Sequence, residues 1–151
     1  MLRATYDDAW SGAGRAKSSY VRDPWLAQTQ LAMGQLSTHG QFVHLYINGL
    51  YWGMYNIIER PDADFGASYL GGTKEEYDSI SAPGHGTVEA TDGNTVAYNA
   101  AKSIANGRLA ISAQYDALKQ YLQDENLVHY IPRNIFGGNH YCPSNTSLLS
   151  R

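Results

Sequence analysis

The dipeptide Asn48-Gly49 constrains this chain more than any other feature, because two runs rich in β-branched and aromatic residues flank it, Phe42 to Ile47 and Leu50 to Ile58. Asn-Gly readily adopts the two positive φ angles of a type I′ turn, whose twist matches that of the strands it joins. Residues 41–58, QFVHLYINGLYWGMYNII, therefore read as a β-hairpin. Alternation puts Val43, Leu45 and Ile47 on one face of the first strand and Phe42, His44 and Tyr46 on the other. In the second strand Trp52, Met54, Asn56 and Ile58 alternate with Tyr51, Gly53, Tyr55 and Ile57. Both faces are largely apolar, so the hairpin is expected inside a sheet and covered on both sides.

The remaining chain supplies elements around that hairpin. Met1 to Ala4 read as the end of a strand that looks cut at its start, and Tyr6 to Ser19 as a loop rich in Asp, Ser and Gly. Asp23-Pro24 is a good helix entry, with Trp25, Leu26, Thr29 and Met33 at helical spacing before Gly34; that stripe is expected to pack on the hairpin. Arg60-Pro61 breaks the strand. A short helix from Asp62 to Leu70 follows, closed by Gly71-Gly72, then a weak strand within Glu75 to Ala82 and a brief extended piece at Thr87 to Ala90. Helices are expected from Asn94 or Thr95 to Asn106, from Ser112, and from Asp124 through ENLVHYIPRNIF. In the last, Leu127, Val128, Tyr130, Ile131, Ile135 and Phe136 form a broad apolar face and Pro132 should kink the backbone. From Asn139 onward no period is evident.

A chain of 151 residues, 43% hydrophobic and 17% charged, suffices for one domain with a core. Its formal charge of −3 and lack of a Lys/Arg cluster argue against nucleic-acid binding. Cys142 alone forms no internal disulfide, which leaves the compartment open, and no apolar run approaches the roughly 20 residues of a membrane span. The N-terminus lacks the apolar core of a signal peptide.

Residue types alone offer little catalysis. His44, mid-strand, reads as a packed or hydrogen-bonded residue rather than a ligand or base. His140 and Cys142 lack a second ligand pair, so no metal site is read there. Gly84-His85-Gly86 neither follows a clear strand nor precedes Lys-Ser/Thr, and reads as a surface loop. Asp62 and Asp64 suit a helix start, whereas Glu59 at a strand end lacks so simple a structural role.

The runs SSYVRDPWLAQTQLAMG, HGQFVHLYINGLYWGMYNIIERPDADF, YLGG and YDSI resemble the spore-coat-protein-H kinase family, CotH. The resemblance rests on Val21-Arg22-Asp23, on Val43 to Gly49 and on Tyr51 to Glu59, and extends more loosely through ENLVHYIPRNIFGGNH to about Asn145. It implies an atypical bacterial protein kinase, ATP-dependent with Mg or Mn, that phosphorylates Ser or Thr of coat or surface proteins. It also implies an α+β fold: an antiparallel small-lobe sheet centred on the 41–58 hairpin and part of a larger helical lobe. The lobes would fall at about 1–82 and 94–138, with an irregular tail at 139–151. Ile57, Ile58, Glu59 and Asp62 would then line the nucleotide site, with Arg22, Asn139 and Asn145 in support, and the helix from Pro24 would brace a phosphate-binding lysine. This division of labour suits phosphoryl transfer, which needs positioning and charge neutralisation more than covalent chemistry.

The family's catalytic Asp position is Tyr141 here, and its metal-binding Asn position is Thr146, with Asn145 one place short. Neither Tyr nor Thr replaces a carboxylate as a metal ligand or proton acceptor. The lysine strand expected before Leu2 and the metal-binding segment expected beyond Arg151 are not in this sequence. The expectation is therefore a family fragment, its tail altered from Tyr141 onward, with no intact catalytic or metal residue and no activity alone. A non-catalytic surface or scaffold module that binds protein or carbohydrate through Tyr46, Tyr51, Trp52 and Tyr55 is the competing reading. Exposure of those rings favours it; burial under the helix from Pro24 favours the kinase lobe.

Overall fold

The computed structural model describes residues 1–4, 8–9, 18–84, 87–107, 112–139 and 146–150. The fold is α+β, with elements in the order β1 (Leu2–Arg3), α1 (Arg22–Ala32), β2 (Gly40–Ile47), β3 (Leu50–Ile58), α2 (Ala63–Leu70), β4 (Asp78–Gly84), β5 (Thr87–Asp92), α3 (Val96–Ala105), α4 (Ser112–Leu118), α5 (Asp124–Phe136) and β6 (Thr146–Ser150). They divide into two compact units, Met1–Arg60 with Phe136–Asn139, and Pro61–Ile135 with His140–Arg151.

The first unit is built on an antiparallel sheet in the order β1-β3-β2. Asn48 and Gly49 take φ of 51° and 80°, the turn their sequence predicts, and Ile47 faces Leu50 across it. Plain alternation then fails. Leu45 pairs with Gly53 but Tyr46 pairs with Tyr51, so Trp52 is the extra residue of a β-bulge, and Gly53 takes the φ of 137° that the bulge requires. From the bulge to the base every pairing is offset by one residue: His44 with Met54, Phe42 with Asn56, Gly40 with Ile58. The offset moves Tyr51 off the face of Tyr55 and Ile57. Its ring now lies 5.7 Å from that of His44 and 5.3 Å from that of Tyr46, and its hydroxyl is 3.1 Å from His44 Nδ1.

Among the described residues the expected cover on both faces is not found. Between Gly40 and Ile58 only Asn56 and Ile58 are buried. Strand β1 meets only the hairpin's base, pairing Leu2 with Ile57 and Arg3 with Asn56 along the edge of β3, and an edge neighbour covers neither face. Tyr20 supplies slight cover, its ring stacking on Phe42 at 6.0 Å and its hydroxyl donating to the Met54 carbonyl. Helix α1 starts at Arg22, with Val21 at the N-cap, so Asp23 is a first-turn residue rather than the cap, and it pairs with Arg3 of β1 at 3.5 Å. The residues α1 buries are Leu26, Ala27 and Gln30. Trp25, expected against the hairpin, instead meets the Phe136 ring at 6.1 Å.

In the second unit α2 begins as expected, with Asp62 accepting from the Phe65 amide at 3.1 Å, and ends at Gly71. Asp92 accepts from the Ala63 amide at 3.3 Å, so carboxylates from two segments serve the orphan donors of one helix start. The weak strands are real: β4 lies between β5 and β6. Strand β6 occupies 146–150, where no period was readable, because its pairing rather than its pattern defines it. Tyr77 and Ile80 are buried there with Phe65 and Ala63, and the Tyr77 hydroxyl donates to the Gly71 carbonyl at 2.6 Å. Thr95 is the N-cap of α3, and Asn94 Oδ1, just outside the helix, accepts from the Val96 amide at 2.8 Å. Helix α5 runs through Pro132, and its amphipathicity is inverted: Leu127, Val128, Ile131 and Ile135 are exposed, while Asn134 is buried and donates to the Tyr130 carbonyl at 2.8 Å.

Three outcomes are expected. A Cβ at Gly49 meets nothing within 4 Å, so Gly49→Ala tests the left-handed backbone alone and lowers stability by about 1–2 kcal/mol in urea unfolding. Asp62→Ala removes the α2 cap and costs about 1 kcal/mol by the same measurement. The Lys119 ammonium, 3.4 Å from Asp124, holds that carboxyl below its usual range, first by hydrogen bonding and then by charge. The pair's contribution is thus present above the ordinary carboxylate pKa and is lost as pH falls below about 4. An NMR titration should show Asp124 titrating lower in the chain than in Lys119→Ala.

Candidate functional site

Three of the four residues expected to line the nucleotide site come together. Ile57, Ile58 and Glu59 border an open depression of about 390 Å³ with His39, Gly40 and Gln41, where β2 begins and β3 ends. The volume is in the range of small-molecule sites, which run roughly 300–1,000 Å³. Ile57 presents an exposed apolar side chain, whereas Ile58 is buried and serves as its support. Asp62 is not among the lining residues; its carboxylate caps α2.

Glu59 is fixed from across the ladder. Its amide donates to the His39 carbonyl at 3.0 Å, and its Oε2 accepts from the His39 amide at 2.7 Å and lies 3.0 Å from His39 Nδ1. The pairing places a half-exposed carboxylate at the rim with its orientation set by a backbone donor. His39 is a site residue that sequence reasoning missed. Counting back from a two-residue turn puts it opposite Ile58; only the bulge brings it opposite Glu59. The pair is solvated, so it fixes geometry and contributes at most about 1 kcal/mol to stability.

Among the supporting residues, Arg22 is held by Asp8, with its guanidinium 3.6 Å from Asp8 Oδ1 and its amide 3.3 Å from Oδ2. The same buried carboxylate accepts from the Ser19 amide and hydroxyl at 2.9 and 3.0 Å. Arg22 therefore anchors the approach to α1 rather than reaching the depression. Asn139 is half-buried at the end of the first unit. Tyr141, Asn145, His140, Cys142, His85 and Gly86 lie outside the described residues. The link from β1 to α1 is Arg3 to Asp23, a second ion pair absent from the sequence reading.

At the depression the exposed Ile57 offers an apolar surface and Glu59 a hydrogen-bond acceptor. The described lining residues include no Lys or Arg. Among the described residues no three His, Cys, Asp or Glu side chains are grouped to hold a metal ion, and no helix is long and apolar enough to cross a membrane.

No curated protein and no solved structure matches this chain. The family model described as CotH kinase protein matches residues 1–131, a span that contains β1 through most of α5 and the whole depression. With most of its 151 residues so matched, the chain belongs to the CotH kinase family.

Proposed function

We propose that the chain forms the nucleoside-contacting part of a CotH-type protein kinase, whose activity is ATP-dependent phosphorylation of Ser or Thr in coat or surface proteins. The observation that carries this reading is the grouping of Ile57 and Glu59 at one depression inside the matched span. In this reading the base lies against Ile57 and a ribose hydroxyl donates to Glu59, whose carboxylate His39 orients. Kinase chemistry of this kind uses Mg or Mn, and no three His, Cys, Asp or Glu side chains are grouped for it among the described residues. Tyr141 in the family's Asp position supports a chain inactive alone, and the division into lobes at about 1–82 and 94–138 remains part of this proposal.

A second reading is a non-catalytic surface or scaffold module that binds protein or carbohydrate through its hairpin. The exposure of Tyr46, Tyr51 and Trp52, none of them under α1, favours it; Tyr55 is half-buried.

Calorimetric titration with AMP and ATP, together with transfer of labelled phosphate, separates these readings. AMP should bind about as well as ATP, because no Lys or Arg is among the described lining residues, and Glu59→Gln should weaken both about tenfold. No labelled phosphate should be transferred with magnesium or manganese. Absence of nucleotide binding at millimolar concentration would overturn the nucleotide reading, and autophosphorylation would overturn the claim of inactivity.

A further inference from the structure

We propose that the tip of the β2–β3 hairpin is an interfacial anchor that seats in the headgroup region of a neutral phospholipid surface. Three observations independent of the nucleotide reading carry it. The first is charge: residues 41–58 contain no Asp, Glu, Lys or Arg. The second is layering. Ile47 and Leu50, paired across the turn, are 44% and 70% exposed. One step back along the ribbon Tyr46 and Tyr51 are 61% and 55% exposed, and Trp52, pushed out by the bulge, 62%. Aliphatic side chains at the extremity with Tyr and Trp behind them follow the polarity gradient of a bilayer surface, where amphipathic rings sit at headgroup level.

The third observation is reach. Beyond the β1 pairings at Asn56 and Ile57 and the Tyr20 contacts at Met54 and Phe42, the described strands pair only with each other. The ribbon from Gly53 to Leu50 therefore extends about 10 Å past those contacts at the usual strand rise. Interfacial segments bury about 5–10 Å of their apolar surface, which here takes in the aliphatic and aromatic layers and leaves Glu59 in water. The seat must be shallow, because the unpaired outer edge of β2 cannot enter hydrocarbon without losing hydrogen bonds to water.

Other occupants fit less well. The Tyr51 ring is inclined 51° to His44 and 55° to Tyr46, so the cluster is not the flat platform that a sugar ring stacks on. The Tyr51 hydroxyl and His44 Nδ1 are already within hydrogen-bonding distance of each other. The lack of Lys and Arg also separates this anchor from basic segments drawn to anionic lipid, whose binding is screened by salt.

The test is co-sedimentation of the full chain with phosphatidylcholine vesicles, repeated with added phosphatidylserine and at high salt. Binding to phosphatidylcholine, little changed by either addition, is expected. Leu50→Ser combined with Trp52→Ser should weaken it roughly tenfold or more, with the unfolding midpoint and AMP affinity unchanged. A blue shift of tryptophan emission with vesicles should disappear in Trp52→Phe, which leaves Trp10 and Trp25 in place. Failure to sediment, equal sedimentation of the double variant, or binding only with phosphatidylserine would overturn the proposal. So would tip-dependent binding of a soluble oligosaccharide or protein without vesicle binding. AMP titration of the same preparations shows whether the nucleotide reading fails separately.

Discussion

The register between β2 and β3 is the constraint on which the rest of the first unit depends. A two-residue turn fixes which residues face each other at the outer end, and one extra residue, Trp52, resets that pairing for everything nearer the base. The reset places Asn56 and Ile58, rather than their neighbours, in buried positions, and it brings His39 into hydrogen-bonding distance of Glu59. In a straight ladder of this same sequence Ile58 rather than Glu59 would face His39, and the depression at the end of β3 would have a different rim. The same backbone irregularity thus shapes the aromatic tip and decides which residues of this sequence meet at the base.

Much of this was legible because local chemistry decided it. Asn48-Gly49 specified its own φ angles, Asp62 its cap and Gly71 the end of α2, each through groups within a few residues. The bulge was less legible. Gly53 carries a signal, since a lone glycine within a strand pattern suggests one, but alternation alone reads straight through it. Hairpin burial was misread for a different reason: apolar character on both faces shows that a surface can be covered, not that another element reaches it. Strand β6 was illegible because its partner β4 lies some 70 residues earlier, and nonlocal pairing leaves no period behind. Of the candidate site, Glu59 stood out as a strand-end carboxylate without a structural excuse, whereas His39 depended on a register no local pattern reports.

Helix α5 gives the clearest case of pattern and packing in conflict. Its Leu127, Val128, Ile131 and Ile135 have the spacing of a core-facing stripe, yet the fold turns Asn134 inward and those four side chains outward. An apolar stripe presented to water is normally functional or an association surface. With the exposed hairpin tip it leaves two apolar surfaces presented to solvent among the described residues.

The bulge at Trp52 also separates the bearing of the ribbon's tip from the register at its base. Losing that residue would close the ladder into a straight hairpin with Tyr46 still opposite Tyr51 and Leu45 still opposite Gly53, so the pairing at the base, His39 with Glu59 included, would stand. What would go is the bend and the added twist that a bulge gives the outer ribbon. Shape at one end and chemistry at the other are thereby uncoupled by one amino acid.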